Sequence, residues 1–263
     1  MNDIIDINYF ELFAGFALML IPISILWYYK TNLVKDTLIA TARMTIQLLL
    51  VGFYLEYIFD LNNAYVNIAW VIIMSIIATY SIIRRSGLRM KLFFLPVLFS
   101  GIISIAITDA YFLGFVIKLE NIFTARYFIP ITGMLLGNTI KNVIISLDAF
   151  YKRINDEQNL YRWNLANGAN RREAILPFMS DALKKAFNTL IATTAIMGLI
   201  SLPGMMTGQI LGGSNPNVAV KYQIMLLITI FTSAILNVVL TINISNKFTF
   251  DKFGNLKKGI FRK

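Results

Sequence analysis

Long apolar runs alternate with short polar intervals along the whole chain. The first runs from Tyr9 to Tyr29, the second from about Thr37 to Phe59, and the third from Val66 to Ile83. A fourth covers Leu92 to about Phe112, a fifth Phe128 to about Leu147, a sixth about Ala186 to Leu202, and a seventh Tyr222 to about Ile244. At about 1.5 Å of rise per residue, a helix of roughly 20 apolar residues crosses the ~30 Å hydrocarbon core of a bilayer. The pattern therefore predicts an all-α integral membrane protein of about seven spans. The acidic opening MNDIIDINYF lacks the basic start of a cleavable signal peptide, so the first run is expected to stay as a span.

Composition agrees with lipid as the solvent: 57% of the 263 residues are hydrophobic and 14% charged, against about 25% charged in soluble domains. The net charge of +10 does not point to nucleic acid, because the basic residues sit between the apolar runs. With seven spans the two ends face opposite sides. If the C-terminus is inside, the inner side holds Lys30, Lys35, the RRSGLRMK patch, seven basic residues between Lys152 and Lys185, and six from Lys247 onward. The outer side keeps Lys118, Arg126 and Lys221, while Arg43 and Lys141 lie within spans. The positive-inside rule then places the N-terminus outside and the C-terminus in the cytoplasm, as expected of a multi-pass plasma (inner) membrane protein.

The chain reads as a single domain, 1–263, with one soluble-looking interval at 148–185. Apolar positions recur at helical spacing on both sides of Asn167-Gly168, and Asn-Gly is a helix stop signal. The fifth span is expected to continue out of the membrane as a helix to about Asn167, turn, and restart near Asn170 or Arg171. This makes a cytoplasmic helix-turn-helix elbow, with a merely solvated loop as the competing reading.

The sequence holds neither cysteine nor histidine, which removes thiolate and imidazole metal sites and catalysis by either group. Local spacing supports no catalytic carboxylate pair and no serine with a basic partner, and no GxxxxGK[ST] phosphate loop occurs. If ATP drives this protein, a separate chain must hydrolyse it. Polar residues inside spans are costly and therefore candidate functional groups. Arg43 and Gln47 share a helix face, although snorkelling also explains Arg43. Glu56 lies near the outer end of the same span, where it could line an exit. Glu11 and Asp109 are expected to be ordinarily solvated at outer ends. Gly133 and Gly137 suit close helix packing, with Asn138 and Asn142 bonding across it. The segment PGMMTGQILGGSNPN is expected to be irregular, with Met205, Met206, Thr207 and Gln209 offering sulfur, carbonyls or side chains to a pathway. Core packing is the competing fate of the methionines. A metal path built from such residues would use hard oxygen ligands, which equally suit a polar organic solute.

Three stretches resemble one permease family. ARMTIQLLLVG from Ala42 is similar to its Arg-x-x-x-Gln-Leu opening, and IPITGMLLGNTIKNV from Ile129 to its fifth span. LPGMMTGQILGG from Leu202, followed by YQIMLLI from Tyr222, is its most specific signature. The family is the FetB-type ABC transporter permease, and the resemblance runs from about Glu11 to Asn246. Its bacterial members are linked to iron export and its plant relatives to aluminium tolerance. LANGANRREAILP, from Leu165 to Pro177, also resembles the Ala-x-Gly-Ala turn with which ABC permeases dock on their ATPase. Asn167 stands where that pattern carries leucine or a similar residue. The resemblance implies a homodimer of this chain with two cytoplasmic ABC ATPase subunits. ATP and Mg would be bound on the ATPase, with no cofactor on this chain. It also implies that Trp163, Leu165, Ala166, Asn167, Gly168, Ala169, Arg171, Arg172 and Glu173 form the coupling surface. A non-transporting membrane scaffold that recruits a cytoplasmic partner is the alternative. A secondary transporter is a weaker one, since no inverted repeat is evident.

Overall fold

The structure is a computed structural model that describes residues 8–200, 202–251, 254–257 and 259–262, apart from the Tyr9 side chain. The first seven residues of the acidic opening, Ser201 at the end of the sixth apolar run, and Lys252, Lys258 and Lys263 of the basic tail lie outside the described residues. Ten α-helices carry the fold. They are α1 (Tyr9–Phe16), α2 (Leu20–Tyr28), α3 (Val34–Leu61), α4 (Ala64–Arg85), α5 (Met90–Asp109), α6 (Ala125–Asp156), α7 (Gln158–Ala166), α8 (Arg171–Ile196), α9 (Gly204–Leu211) and α10 (Pro216–Thr249). A 3-10 turn joins α1 to α2, and a π-helical stretch, Ala110–Val116, extends α5. Among the described residues six helical segments are long and apolar enough to cross a membrane, and the protein is an all-α multi-pass membrane protein.

The sixth apolar run is not among those six segments. It falls on the second half of α8, which begins at Arg171, as expected for the restart after the turn, and ends at Ile196, short of Leu202. Arg171, at the start of α8, donates to the Asn246 carbonyl near the end of α10. The start of α10 lies at the other end of the bundle, where Leu226 packs with Phe112, Leu113 and Phe128. The chain between Arg171 and Pro216 therefore runs from one end of the bundle to the other.

Two asparagines level the helix ends at the less basic side. The Ala125 amide donates to Asn62 Oδ1 at 2.9 Å, and Asn67 Nδ2 donates to the Phe123 carbonyl at 2.8 Å. The α3–α4 turn, closed by left-handed Asn62 (φ 38°), thus sits beside the start of α6. At the opposite end the tail after α10 straps across the α4–α5 turn. There the Arg89 amide donates to Ile260 O and the Arg262 amide to Gly87 O, both at 2.8 Å. Lys30, Lys35, the RRSGLRMK patch, the α6–α8 connection and the tail all gather at this end, called here the basic end.

The bundle proper is α4, α5, α6, α8 and α10. Its tightest seam is α5 against α10, where a Cβ on Gly101 would lie 3.8 Å from Asn237 Nδ2. Buried small polar residues run along both helices, Ser100, Ser104 and Thr108 on α5 and Ser233, Asn237, Thr241 and Ser245 on α10. Without water-driven attraction between helices in lipid, small residues let backbones approach and short polar groups bond locally. Ser100 Oγ donates to Pro96 O, Thr108 Oγ1 to Ser104 O, and Thr241 Oγ1 to Asn237 Oδ1. The expected Gly133–Gly137 contact is not formed within the chain. A Cβ on Gly133 would meet only Met74 Sδ at 3.8 Å, and one on Gly137 would meet nothing within 4 Å. In contrast, α1, α2 and most of α3 stand off the bundle. No residue of their apolar windows is buried, and α3 reaches α6 chiefly through Ile58, which packs with Ala125 and Ile129.

Candidate functional site

Local chemistry builds the elbow at the basic end. The expected continuous helix from the fifth span does not run to Asn167. It breaks at Glu157 (φ −105°, ψ 38°), where α6 ends and α7 begins. The break turns α7 so that Tyr161 is buried against the C-terminal tail, its Oη donating to the Gly254 carbonyl at 2.8 Å. Burial pushes the Tyr161 phenol above its ordinary pKa, against the opposing pull of the nearby Arg171 charge. Arg153 locks the joint from the other side by pairing with both Glu157 and Asp181, and its guanidinium lies 5.4 Å from the Phe178 ring centroid.

The turn itself is a Schellman motif. The Gly168 amide donates to Leu165 O and the Ala169 amide to Asn164 O, both at 3.1 Å. Gly168 takes φ +91°, a left-handed conformation that glycine adopts without strain. Asn167 Nδ2 donates to the Trp163 carbonyl at 2.8 Å. Restart at Arg171 follows from a capping box. Asn170 Oδ1 accepts the Arg172 and Glu173 amides, and Glu173 Oε2 accepts the Asn170 amide at 2.7 Å.

The nine proposed coupling residues divide by these contacts. Trp163 is 64% exposed, and Ala166, Asn167, Gly168 and Arg172 are exposed beside it, with Leu165 and Ala169 half-buried. Arg171 is engaged inside the chain instead: besides Asn246, it stacks 4.5 Å from the Phe250 ring centroid. Glu173 is held in the capping box. Both therefore help to hold the shape of the elbow, while Glu173 stays exposed and Arg171 half-buried. Arg172 and Lys247 face a groove of about 590 Å³ between α8 and α10, floored by Ile175, Leu176 and Met179.

The candidate path residues do not converge on one enclosed cavity. Arg43, Gln47, Glu56 and Asn138 are all exposed on the surface of the single chain. Asn138 Nδ2 bonds its own helix at Met134 O, whereas Asn142 is buried, so the two do not bond across one contact. Four residues nevertheless share a depth. Measured along the helices from the levelled ends at Leu61 and Ala125, Gln47 and Asn138 lie about 20 Å in and Arg43 and Lys141 about 24–27 Å in, at about 1.5 Å per residue. All four are exposed, so this belt of depth on α3 and α6 carries two cations and two amides and, among the described residues of these two helices, no carboxylate. Glu56 lies about 8 Å from Leu61 on the same scale, close to the less basic end.

The Gly-rich signature is helical where irregular backbone was expected. Met205, Met206, Thr207 and Gln209 lie on α9, which carries Gly204 and Gly208 within it, while Pro203 caps its start and Gly212 its end. Thr207 Oγ1 donates to Pro203 O, and the Gln209 carbonyl accepts the Ser214 amide at 2.9 Å. That carbonyl is therefore not offered to a pathway. Met205 is 37% exposed, the other three are half-buried, and α9 packs on α10.

One polar group defies the sequence reading outright. Asp109, expected to be solvated, is 2% exposed. Thr132 Oγ1 donates to its Oδ2 at 2.6 Å, while Oδ1 has no hydrogen-bond partner in the chain. Among the described residues no three His, Cys, Asp or Glu side chains group to hold a metal ion.

Together these features define a multi-pass helical membrane protein with a structured elbow at one end and a polar belt within its spans. The chain belongs to the Uncharacterised protein family (UPF0014), whose family model matches residues 9–250. It is 32% identical over 242 residues to the "Probable iron export permease protein FetB" of Escherichia coli, covering 91% of this chain and 90% of that one. It is 31% identical to the "UPF0014 membrane protein YjkA" of Bacillus subtilis (89% and 92%), and 30% identical to "Protein ALUMINUM SENSITIVE 3" of Arabidopsis thaliana (80% and 77%). No solved structure matches the chain.

Proposed function

We propose that this chain is the membrane permease subunit of an ATP-driven ABC exporter that moves iron out of the cytoplasm. The observation that carries the reading is similarity along nine-tenths of the chain to a protein named as a probable iron export permease. The elbow supports it physically, since a rigid turn braced by α6, α8 and the tail can pass motion between a soluble partner and the spans. In this reading the basic end is cytoplasmic and the membrane is the plasma (inner) membrane. A separate ATPase docks on Trp163, Leu165–Ala169 and Arg172, and a second copy of the chain completes the pathway by covering the outlying α1–α3 and the belt.

A second reading, an ABC permease for a polar organic solute, is favoured by the belt. Arg43, Gln47, Asn138 and Lys141 suit an anionic or neutral polar group better than a bare cation. Whole-cell iron content under iron excess separates the two. Cells carrying the chain and its ATPase should hold less iron than cells lacking the chain. Equal content, with the chain present in the membrane, would remove iron as the cargo and leave the polar solute.

A further inference from the structure

Asp109 sits at the junction of α5 and the π-helical stretch, and π-helical turns concentrate at functional sites. Asp109 borders a cavity of about 330 Å³ whose walls, Ser75 apart, are hydrocarbon and aromatic, among them Ile68, Ile72, Ile102, Ile105 and Phe128. A volume of this order lies at the lower end of small-molecule sites. The cavity is reached between α4 and α5, where Ile72 and Ala106 are exposed. That opening faces the membrane, so a ligand soluble in the bilayer can enter.

Two buried polar side chains border this wall and keep acceptor capacity. Asp109 Oδ1 has no partner. Ser75 Oγ, also in the lining, donates its proton to Val71 O at 2.8 Å, which leaves its lone pairs free. A metal ion would need six or more oxygen ligands in the calcium or magnesium manner, and these two oxygens do not supply them. A buried carboxylate needs an opposite charge or a donor, and the apolar walls need an apolar body. We propose that the Asp109 cavity binds an amphiphilic organic cation, a protonated amine on an apolar skeleton, with its N–H groups donated to Asp109 Oδ1 and Ser75 Oγ.

The site is independent of iron export, and its test uses no transport. The full chain in lipid nanodiscs is titrated calorimetrically with 3-phenylpropylamine and, separately, with 3-phenylpropan-1-ol, which shares the skeleton but carries no charge. The amine should bind about tenfold or more tighter than the alcohol, as a charge-assisted bond requires. Asp109→Asn should erase that preference. Ile105→Trp, which fills the cavity and leaves the carboxylate, should abolish amine binding. Equal affinity for amine and alcohol in the wild-type chain overturns the proposal without any variant. So does a preference that survives in Asp109→Asn, or amine binding that persists in Ile105→Trp.

Discussion

Gly168→Val should lower the chain's stimulation of the proposed ATPase by more than tenfold while leaving the protein folded in the membrane. The effect comes from backbone conformation alone. A Cβ at Gly168 would meet nothing within 4 Å, yet φ there is +91°, which a β-branched residue reaches only with about 1–3 kcal/mol of strain. The chain relieves that strain by unwinding the Schellman turn, which disperses Trp163, Ala169 and Arg172. Gly168→Asn should be milder, because Asn tolerates left-handed backbone better than other non-glycine residues. ATPase rates of the co-reconstituted wild-type, Asn and Val chains should fall in that order. A Val chain that stimulates as well as wild type would show that the turn does not transmit coupling.

The second large effect is on stability, at the α5–α10 seam. A Cβ on Gly101 would lie 3.8 Å from Asn237 Nδ2, an ordinary contact. Gly101→Ala should therefore leave the melting temperature close to wild type. Gly101→Leu must push Asn237 and its bond to Thr241 out of place, and overpacking of this kind costs about 1–3 kcal/mol. Thermal unfolding in detergent should show a clear drop for Leu and little for Ala. If both variants melt alike, the seam is looser than described.

How much of this was legible depended on whether the determinants were local. The spans could be read because hydropathy needs no partner. The Asn167–Gly168 turn and the restart at Asn170 could be read because a Schellman stop and a capping box use residues within one turn of each other. The break at Glu157 could not, because its purpose lies in Tyr161 meeting Gly254, far along the chain. Asp109 was misplaced for the same reason. Distance from a span's end suggested water, but Phe128, Thr132 and the π-helical stretch enclose it. The α5–α10 seam did leave a signal. Ser100, Ser104 and Thr108 recur every four residues, as do Thr229, Ser233, Asn237, Thr241 and Ser245, and that small-polar stripe marks the packed seam where Gly133 and Gly137 do not. The belt of Arg43, Gln47, Asn138 and Lys141 needed the helix ends levelled by Asn62 before its common depth emerged.

ATP-driven iron movement in proteoliposomes that hold the chain with the proposed ATPase is the most direct test. Iron presented on the elbow side with ATP and Mg²⁺ should accumulate in the lumen, and a non-hydrolysable ATP analogue should prevent it. Equal accumulation with ATP and with the analogue, or none with either, would contradict an ATP-driven iron export permease.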